Sequence, residues 1–180
     1  YLLSSIIAEA EPISVEFASE RWEFKEGGVV DHLGRKSLAG VALVKDLEFS
    51  DGVIEVDMAV DGRRSYPGIL FRVQSDDEYE RLYLRPHRVG LYPDAIQYTP
   101  IFNGDEGWQL YHGDGCTASA AVPENEWFHM RVEVRGTQAR VFVNRNPEPA
   151  LQVHDLKHGL SRGSIGLMGP KDGTAYFSDF

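Results

Sequence analysis

Short runs of alternating apolar and polar residues, separated by turn-forming residues, make up most of the chain. The clearest run covers residues 53–60, where every second residue is apolar and an Asp-Gly pair stands at either end. Further strands are predicted at residues 22–24, 37–43, 68–74, 78–85, 95–98, 130–135, 138–144, 164–168 and 174–180. No amphipathic pattern of ten or more residues predicts a helix. The chain is therefore expected to be all-β.

The number and spacing of these strands predict an antiparallel two-sheet β-sandwich of the jelly-roll type, because about a dozen strands follow one another at intervals of ~8 to 15 residues. A length of 180 residues suits a single domain. We assign residues 22–180 to this sandwich and residues 1–21 to an N-terminal arm or first strand. The apolar residues 1–8 fit such an arm better than the stub of a removed leader, since no basic segment precedes them.

The composition argues against several classes of function. Twenty-eight acidic and 18 basic side chains give a formal net charge of −10, which argues against a nucleic-acid or anionic-membrane binder, because both partners require a basic surface. Cys116 is the single cysteine, so there is no intrachain disulfide and no cysteine-ligated zinc or iron–sulfur site. No segment approaches the roughly 20 apolar residues of a membrane-spanning helix. Neutral or cationic ligands remain.

Two adjacent strands, 68–74 and 78–85, carry an arginine and a glutamate that could bind a ligand. Arg72 is expected on the face opposite the apolar stripe of its strand, and the residues between the two strands would close a hairpin. Arg72 and Glu80 would then lie near each other, and a guanidinium beside a carboxylate can hold two vicinal hydroxyl groups. The alternative interpretation is a structural ion pair that joins the two strands.

The longest irregular stretch, from about residue 86 to 108, combines aromatic and polar side chains, and loops of this length in compact domains are usually functional. Tyr98, Trp108 and Tyr111 are candidates for stacking against the apolar face of a sugar ring. The segment 85–88 (Arg-Pro-His-Arg) is locally basic. It could bind the carboxylate of a uronic acid, or it could be a solvated strand end. His87 could also serve as a general base.

A set of motifs in a fixed order resembles the concanavalin A-like lectin/glucanase superfamily. The motifs are Gly68-Ile69-Leu70-Phe71-Arg72, Tyr79-Glu80 with Tyr83 and Arg85-Pro86, Gln97-Tyr98, Trp127, Gly163 with Ile165-Gly166-Leu167, and Tyr176-Phe177-Ser178-Asp179-Phe180. Within the superfamily, the chain from about residue 22 to 180 resembles LamG-like domains and the bacterial 3-keto-disaccharide hydrolase domain. The resemblance implies a jelly roll whose concave face binds sugars and is crossed by the strands that carry Arg72 and Glu80.

The motifs and the resemblance together predict a domain that recognises an oligosaccharide or glycan on its concave face or at its loop rim. The residues assigned to binding are Arg72, Tyr83, Arg85, His87, Gln97, Tyr98, Trp108 and Tyr111. Two alternatives remain open. One is a glycoside hydrolase or lyase that acts on a modified disaccharide, with Glu80 as its acid/base. The other is a LamG-type adhesion or protein-interaction module.

Other carboxylates offer weaker candidates for catalysis. A glycosidase needs two carboxylates about 5 to 9.5 Å apart. Glu55 and Asp57 share one face of a strand, where we interpret them as its solvated side. The remaining candidate partners of Glu80 are Asp94, Asp105 and Asp114.

No cofactor is required by these motifs. Structural calcium is familiar in the superfamily, and Asp179 on the last strand is the candidate ligand. An extracellular or periplasmic location is expected for such a domain.

Overall fold

The computed structural model describes residues 11–180, in which twelve β-strands form the regular structure. They are β1 Trp22–His32, β2 Arg35–Val44, β3 Gly52–Val60, β4 Gly68–Ser75, β5 Glu78–Leu84, β6 Ile96–Ile101, β7 Thr117–Ala118, β8 Phe128–Arg135, β9 Gln138–Val143, β10 Leu151–Val153, β11 Ser164–Met168 and β12 Ala175–Ser178. The helical elements of this part are two short 3₁₀ helices, Pro86–Arg88 and Trp108–Leu110. The predicted all-β class is confirmed. No helix between residues 11 and 180 has the length and apolar character that crossing a membrane requires.

The strands pair antiparallel in one continuous sheet, with the order β10-β9-β8-β3-β12-β2-β11-β4-β5-β6-β7 and β1 beside β2. Strand β2 connects the two halves of this sheet. Its Leu38 pairs with Phe177 of β12, whereas residues 41–43 pair with β11. The predicted antiparallel arrangement is therefore confirmed, but the division into two separate sheets is not.

The β1–β2 hairpin is longer than the sequence pattern predicts and depends on two glycines at its centre. Gly27 and Gly40 pair with each other and have φ values of +76° and +124°. A Cβ atom on Gly27 would lie 1.9 Å from the carbonyl oxygen of Ala39, so a larger residue would clash with the partner strand. Most residues of β1 are exposed and need not be apolar. The pattern of apolar residues therefore predicts a strand at residues 22–24 alone, although β1 continues to His32.

One side of the sheet encloses the hydrophobic core. Val56 and Met58 of β3 belong to the same buried cluster as Phe71 of β4 and Leu82 of β5, so the two halves of the sheet fold over each other. We call this side of β4, β5 and β6 the inner face. The opposite side, the outer face, carries a smaller apolar cluster that includes Leu70 of β4. The alternation of side chains along these three strands decides which residues belong to the core and which to the outer face.

Residues that precede β1 also belong to the core. Phe17 packs on Trp22 with a centroid separation of 5.1 Å, and Trp22 contacts Phe180 at the same separation. The backbone N–H of Val15 donates to the carbonyl oxygen of Phe180 at 2.9 Å. Burial of each large apolar side chain contributes about 1.5–3 kcal/mol to folding. Within the segment predicted as an arm, Val15 and Phe17 are thus packed into the hydrophobic core, whereas residues 1–8 lie outside the described residues.

Candidate functional site

Strand β5 divides the predicted site residues between two faces. Leu82 and Leu84 are buried in the core, and Glu80 lies on the same inner face. Arg81 and Tyr83 point to the outer face, as the alternation of the strand predicts. The outer face is covered in part by the loop between β6 and β7, which brings Trp108 over the strands. The two faces therefore form two separate polar networks.

On the inner face, Glu80 is fully buried and holds a neighbouring loop in place. Its Oε2 accepts a hydrogen bond from the Tyr98 hydroxyl at 2.7 Å, and its Oε1 accepts one from the backbone N–H of His158 at 3.0 Å. The Tyr98 hydroxyl also accepts a hydrogen bond from the backbone N–H of Lys157 at 2.8 Å. Burial raises the pKa of Glu80, and the hydrogen bonds from Tyr98 and His158 oppose this effect. Burial likewise raises the pKa of Tyr98.

Arg72 joins several loops from within the protein. Its guanidinium donates to the carbonyl oxygens of Ser50 at 2.8 Å, Gly159 at 2.7 Å and Gly136 at 2.6 Å. It also donates to Oδ1 of Asp51 at 3.2 Å. The side chain is 1% exposed. These contacts satisfy a buried charge with four acceptors, as a buried guanidinium requires.

The expected position of Arg72 on the outer face is wrong, because a β-bulge interrupts β4 after Phe71. Arg72 has a φ of +51° in this bulge, and Leu70 and Val73 consequently share the outer face. Arg72 and Glu80 are thus both directed into the protein. As ligand-binding or catalytic residues, Arg72, Glu80 and Tyr98 stay predictions, and their contacts give them a structural role.

On the outer face, seven residues form a second network, which we call the arginine–aromatic cluster. Its members are Tyr66, Arg81, Tyr83, Arg85, His87, Gln97 and Trp108. Five of them belong to the binding residues predicted from the sequence, namely Tyr83, Arg85, His87, Gln97 and Trp108. Arg72 and Tyr98, predicted with them, lie on the inner side.

Arg85 and Gln97 form the buried base of the cluster. Arg85 donates to Oδ2 of Asp94 at 2.7 Å and to the Tyr83 hydroxyl at 3.0 Å, and it also contacts Oε1 of Gln97. The Tyr83 hydroxyl donates to the same Gln97 oxygen at 2.7 Å. The Gln97 amide donates to the Trp108 carbonyl oxygen at 2.8 Å, which ties β6 to the loop that follows it. These bonds fix the orientation of the side chains.

Tyr111 takes part in the cluster through its backbone. Its carbonyl oxygen accepts the second hydrogen bond of the Gln97 amide at 2.5 Å. Its ring instead lies 6.2 Å from that of Tyr98, centroid to centroid. The predicted stacking role of Tyr111 therefore stays a prediction, and its observed contribution is to position Gln97.

Two aromatic rings border the cluster at the surface. The Arg85 guanidinium lies 5.5 Å from the centroid of Trp108, a cation–π distance, and Trp108 is 45% exposed. Tyr66 is 38% exposed and meets Tyr83 and His87 edge to face, at centroid distances of 6.0 and 5.8 Å. Tyr66 was not assigned from the sequence, because it lies in the loop before β4, where no periodicity applies. The one feature of the sequence that points to Tyr66 as a site residue is its position two residues before the Gly68 motif.

Arg81 and His87 retain hydrogen-bonding capacity that the protein does not use. Arg81 is 4% exposed and donates to Oε1 of Glu106 at 2.7 Å and to the Tyr66 carbonyl oxygen at 2.9 Å. Its Nε and the Nδ1 of His87 are buried without a hydrogen-bond partner among the described residues. Arg81 was not assigned to the site, although the strand alternation put it on the same face as Tyr83.

The environment of His87 favours the neutral form of its imidazole. Burial lowers the pKa of His87, and the charges of Arg64, Arg88 and Arg85 lower it further, whereas Asp94 opposes them. A neutral imidazole can accept a proton or a hydrogen bond at its unpaired nitrogen. The cluster therefore combines fixed cationic donors with one potential base.

An open groove of about 900 Å³ is lined in part by Tyr92, Asn144 and Asn146. The Arg88 guanidinium lies 4.2 Å from the Tyr92 centroid and donates to Oδ1 of Asp94 at 2.6 Å. Asp94 in turn accepts from Arg85, which connects the groove to the cluster. A ligand that extends beyond the cluster would find an aromatic ring and amide groups here.

Three other candidate carboxylates, those of Glu55, Asp57 and Asp179, contact basic or histidine side chains. Asp57 lies 2.6 Å from the Arg35 guanidinium and 2.8 Å from the His129 ring, and Glu55 lies 3.1 Å from the same ring. Asp179 is also 2.6 Å from Arg35. Between residues 11 and 180, no group of three or more His, Cys, Asp or Glu side chains is arranged to hold a metal ion. The calcium site at Asp179 stays a prediction.

These features define an all-β domain with a curved antiparallel sheet and a polar, aromatic surface cluster on one face. The chain belongs to the 3-keto-alpha-glucoside-1,2-lyase-like domain family, whose model matches residues 14–180. The resemblance drawn from the sequence motifs is thereby confirmed. No curated protein sequence matches the chain significantly.

Solved structures with the same fold include sugar-binding and sugar-cleaving proteins. The carbohydrate-binding module CBM66 from Bacillus subtilis has a TM-score of 0.65 and 18% identity, over 88% of this chain and 92% of that one. A Bacillus subtilis protein of unknown function with a galectin-like fold has a TM-score of 0.62 and 14% identity, over 93% and 96%. A Bacillus licheniformis beta-glucanase has a TM-score of 0.57 and 11% identity, over 92% and 94%. At these identities the likeness concerns the fold alone.

Proposed function

We propose that the protein is a carbohydrate-binding domain that holds a glycan on the arginine–aromatic cluster. The observation that carries this proposal is the exposed ring of Trp108 beside the buried, hydrogen-bonded pair of Arg85 and Gln97. A sugar offers an apolar C–H face and a rim of hydroxyl groups, so it needs an aromatic plane next to fixed polar groups.

The rigidity of the cluster supports tight recognition. Gln97 has both amide hydrogens engaged, by Trp108 and Tyr111, and Arg85 is held by Asp94. Groups that are already ordered lose little entropy when a ligand binds. The unpaired nitrogens of Arg81 and His87 leave donors or acceptors for hydroxyl groups.

The comparisons support the same class of ligand. The structure with a TM-score of 0.65 is named as a carbohydrate-binding module, and another, with a TM-score of 0.55, as a putative glycosyl hydrolase from Parabacteroides distasonis. By analogy with such proteins we propose that the two halves of the sheet act as the two layers of a jelly roll, with the outer face of β4–β6 as its concave face. We also propose that the domain works outside the cytoplasm, where such glycans occur.

Lyase activity is a second candidate function, favoured by the unpaired Nδ1 and lowered pKa of His87 and by the name of the family. In a 3-keto-glucoside the ketone acidifies the proton on C2. His87 would take this proton, and the C–H electrons would form the C1–C2 double bond as the C1–O bond breaks and the leaving oxygen takes up a proton. Hydrolysis through Glu80 has no such support, since this carboxylate is fully buried. A LamG-type adhesion module would use a flat, apolar surface, and the arginine–aromatic cluster is charged.

A glycan array tests the binding function, with Trp108→Ala as the site variant and Leu110→Ala as its control. Leu110 lies on the same 3₁₀ helix and is 82% exposed. We expect Trp108→Ala to weaken binding about ten-fold, which corresponds to ~1.4 kcal/mol, and Leu110→Ala to bind as the wild type does. Equal binding by all three proteins, or no glycan bound by the wild type, would contradict the proposal.

The lyase function is tested separately by incubation of the protein with a 3-keto-disaccharide. Release of the leaving sugar by the wild type and not by His87→Gln would support it. If neither protein releases the sugar, or both release it equally, His87 does not act as the base.

A further inference from the structure

The charges around the arginine–aromatic cluster do not balance. Arg85 and Arg88 share the single carboxylate of Asp94, and Arg81 pairs with Glu106. Arg64 donates to the Tyr66 hydroxyl at 2.8 Å and has no carboxylate at ion-pair distance between residues 11 and 180. Four guanidinium groups thus face two carboxylates, an excess of two positive charges in a chain whose net charge is −10.

Unused hydrogen-bonding atoms lie where this excess charge is found. The Nε of Arg81 can only donate, and it is buried without a partner, as is Nδ1 of His87. A buried polar atom without a partner costs about 1–3 kcal/mol. Both side chains flank Tyr66, since Arg81 donates to its carbonyl oxygen at 2.9 Å and the His87 ring lies 5.8 Å from its ring. The arrangement offers an acceptor oxygen the Nε–H of Arg81 and a positive field, and Nδ1 of His87 donates to the same oxygen in the tautomer or the protonated form that carries a proton there.

Besides burial, the same positive field lowers the pKa of His87. After burial, the next causes that lower its pKa are the charges of Arg64, Arg88 and Arg85, and Asp94 is the group that opposes them. An anion bound beside His87 would offset these charges. Asp94 does so only in part, because it is already shared by two arginines.

We propose that the glycan is acidic and that its carboxylate, as in a uronic acid, binds between Arg64 and Arg81 next to Tyr66. The inference rests on the proposed glycan-binding function. Arg64 has terminal nitrogens free to form a two-point contact with a carboxylate, the geometry that arginine favours. Tyr66 contacts Arg81 through its carbonyl oxygen and His87 through its ring, and its 38% exposure leaves that ring at the surface beside the proposed carboxylate site. The rest of the sugar then lies toward Trp108.

Matched ligands test this proposal on the whole chain by isothermal titration calorimetry. The probes are oligosaccharides that contain glucuronate or galacturonate, their methyl esters, and the corresponding glucose and galactose oligosaccharides. We expect the acid of at least one series to bind ten-fold or more tightly than its ester and its neutral counterpart. The difference should shrink as salt is raised, because a charge contact at a partly exposed site is screened.

Arg64→Gln is the variant of the carboxylate site, and Arg63→Gln is its matched control. Arg63 is the adjacent residue, is also exposed, and is bound to Asp61 instead of the cluster. Arg64→Gln should reduce affinity for the acid about five-fold or more and leave affinity for the ester unchanged. Arg63→Gln should change neither.

The outcomes separate this inference from the function on which it rests. If esters and neutral sugars bind as tightly as the acids, the carboxylate site is wrong and glycan binding stands. If Arg63→Gln weakens the acid as much as Arg64→Gln does, the attraction is nonspecific and the site is likewise wrong. If no glycan of either kind binds to the wild type, here or on the array, the proposed function itself fails.

Discussion

The inner and outer faces of β4–β6 carry similar side chains but differ in how fully those side chains are satisfied. On the inner face, the Arg72 guanidinium and the Glu80 carboxylate are buried and bonded to groups of the protein itself. On the outer face, Arg81 keeps an unpaired Nε, and Trp108 presents nearly half of its surface to solvent. Residue type therefore does not distinguish the structural network from the proposed binding site. The two differ in unused hydrogen-bonding capacity, which on the outer face lies beside an exposed aromatic ring.

The largest expected effect comes from breaking the inner network at Arg72. In Arg72→Ala the carbonyl oxygens of Ser50, Gly136 and Gly159 lose their donor at once. We expect the free energy of unfolding to fall by about 3 to 4 kcal/mol, because buried acceptors are left unpaired. Urea denaturation measures this change, and glycan affinity of the folded protein should remain that of the wild type.

Arg140→Ala is the control, since its side chain is 57% exposed and contacts Glu133 on a strand surface. The free energy of unfolding of Arg140→Ala should be within about 0.5 kcal/mol of the wild-type value. If Arg72→Ala instead keeps its stability and loses glycan affinity, the sequence interpretation of Arg72 as a ligand-binding residue would be correct and the structural role wrong.

Glu80 offers the next largest effect, with a pH dependence. Glu80→Ala leaves the Tyr98 hydroxyl and the His158 N–H without their acceptor, and we expect a loss of about 2 to 3 kcal/mol. Glu80→Gln should lose less, because its amide oxygen can accept from His158 while its NH₂ donates to the Tyr98 oxygen.

The sign of the pH effect follows from the raised pKa of Glu80. The folded protein retains this proton to a higher pH than the unfolded chain does. The resulting stability is complete below the unfolded pKa, about 4.3, and is lost as the pH rises through the folded pKa. The stability of the wild type relative to Glu80→Gln should therefore decrease from pH 4 upward. Denaturation curves of both proteins across this pH range test the prediction. If the difference in stability between the wild type and Glu80→Gln does not change with pH, Glu80 is not buried as described.

Removal of one hydroxyl group from each face compares the two networks directly. Tyr98→Phe deprives Glu80 and the Lys157 N–H of a partner, so we expect a loss of about 1.5–3 kcal/mol and unchanged glycan affinity. Tyr83→Phe leaves Arg85 and Gln97 in contact with each other, so its loss should be about 1 kcal/mol. Glycan affinity should fall in Tyr83→Phe alone. Equal effects of the two variants on both stability and affinity would remove the distinction between the faces.

Most of the fold could be predicted from the strand pattern. The assignment of side chains to the inner or outer face could be predicted for β5 and not for β4. Alternation along β5 correctly separates Leu82 and Leu84 from Arg81 and Tyr83, because a regular strand has a strict period of two. The same reasoning fails for β4. A bulge with a positive φ at Arg72, a non-glycine residue, leaves no mark in the sequence.

Residues of the short strand β6 and of the loops were harder to place for a different reason. Tyr98 pairs with Leu82 across β5 and β6, so its inward direction depends on the register of the two strands. A predicted strand of four residues could not define that register. Tyr66 and Arg64 come from a loop, and their position beside Arg81 arises from the tertiary fold, which no local pattern encodes.

The smallest expected effect concerns the protonation of His87 on the outer face. Its pKa is lowered in the free protein by burial and by the charges of Arg64, Arg88 and Arg85, with Asp94 opposing. NMR titration should therefore show His87 titrating below the ordinary value of about 6.5, with the signal assigned by its absence in His87→Gln. An acidic glycan should raise this pKa, because its carboxylate stabilises the imidazolium, and affinity should accordingly increase as the pH falls through the range between the two values. A neutral glycan should leave the pKa no higher. If both ligands raise it equally, or the acid does not raise it, the carboxylate does not lie beside His87, and the unused capacity of the outer face serves hydroxyl groups instead.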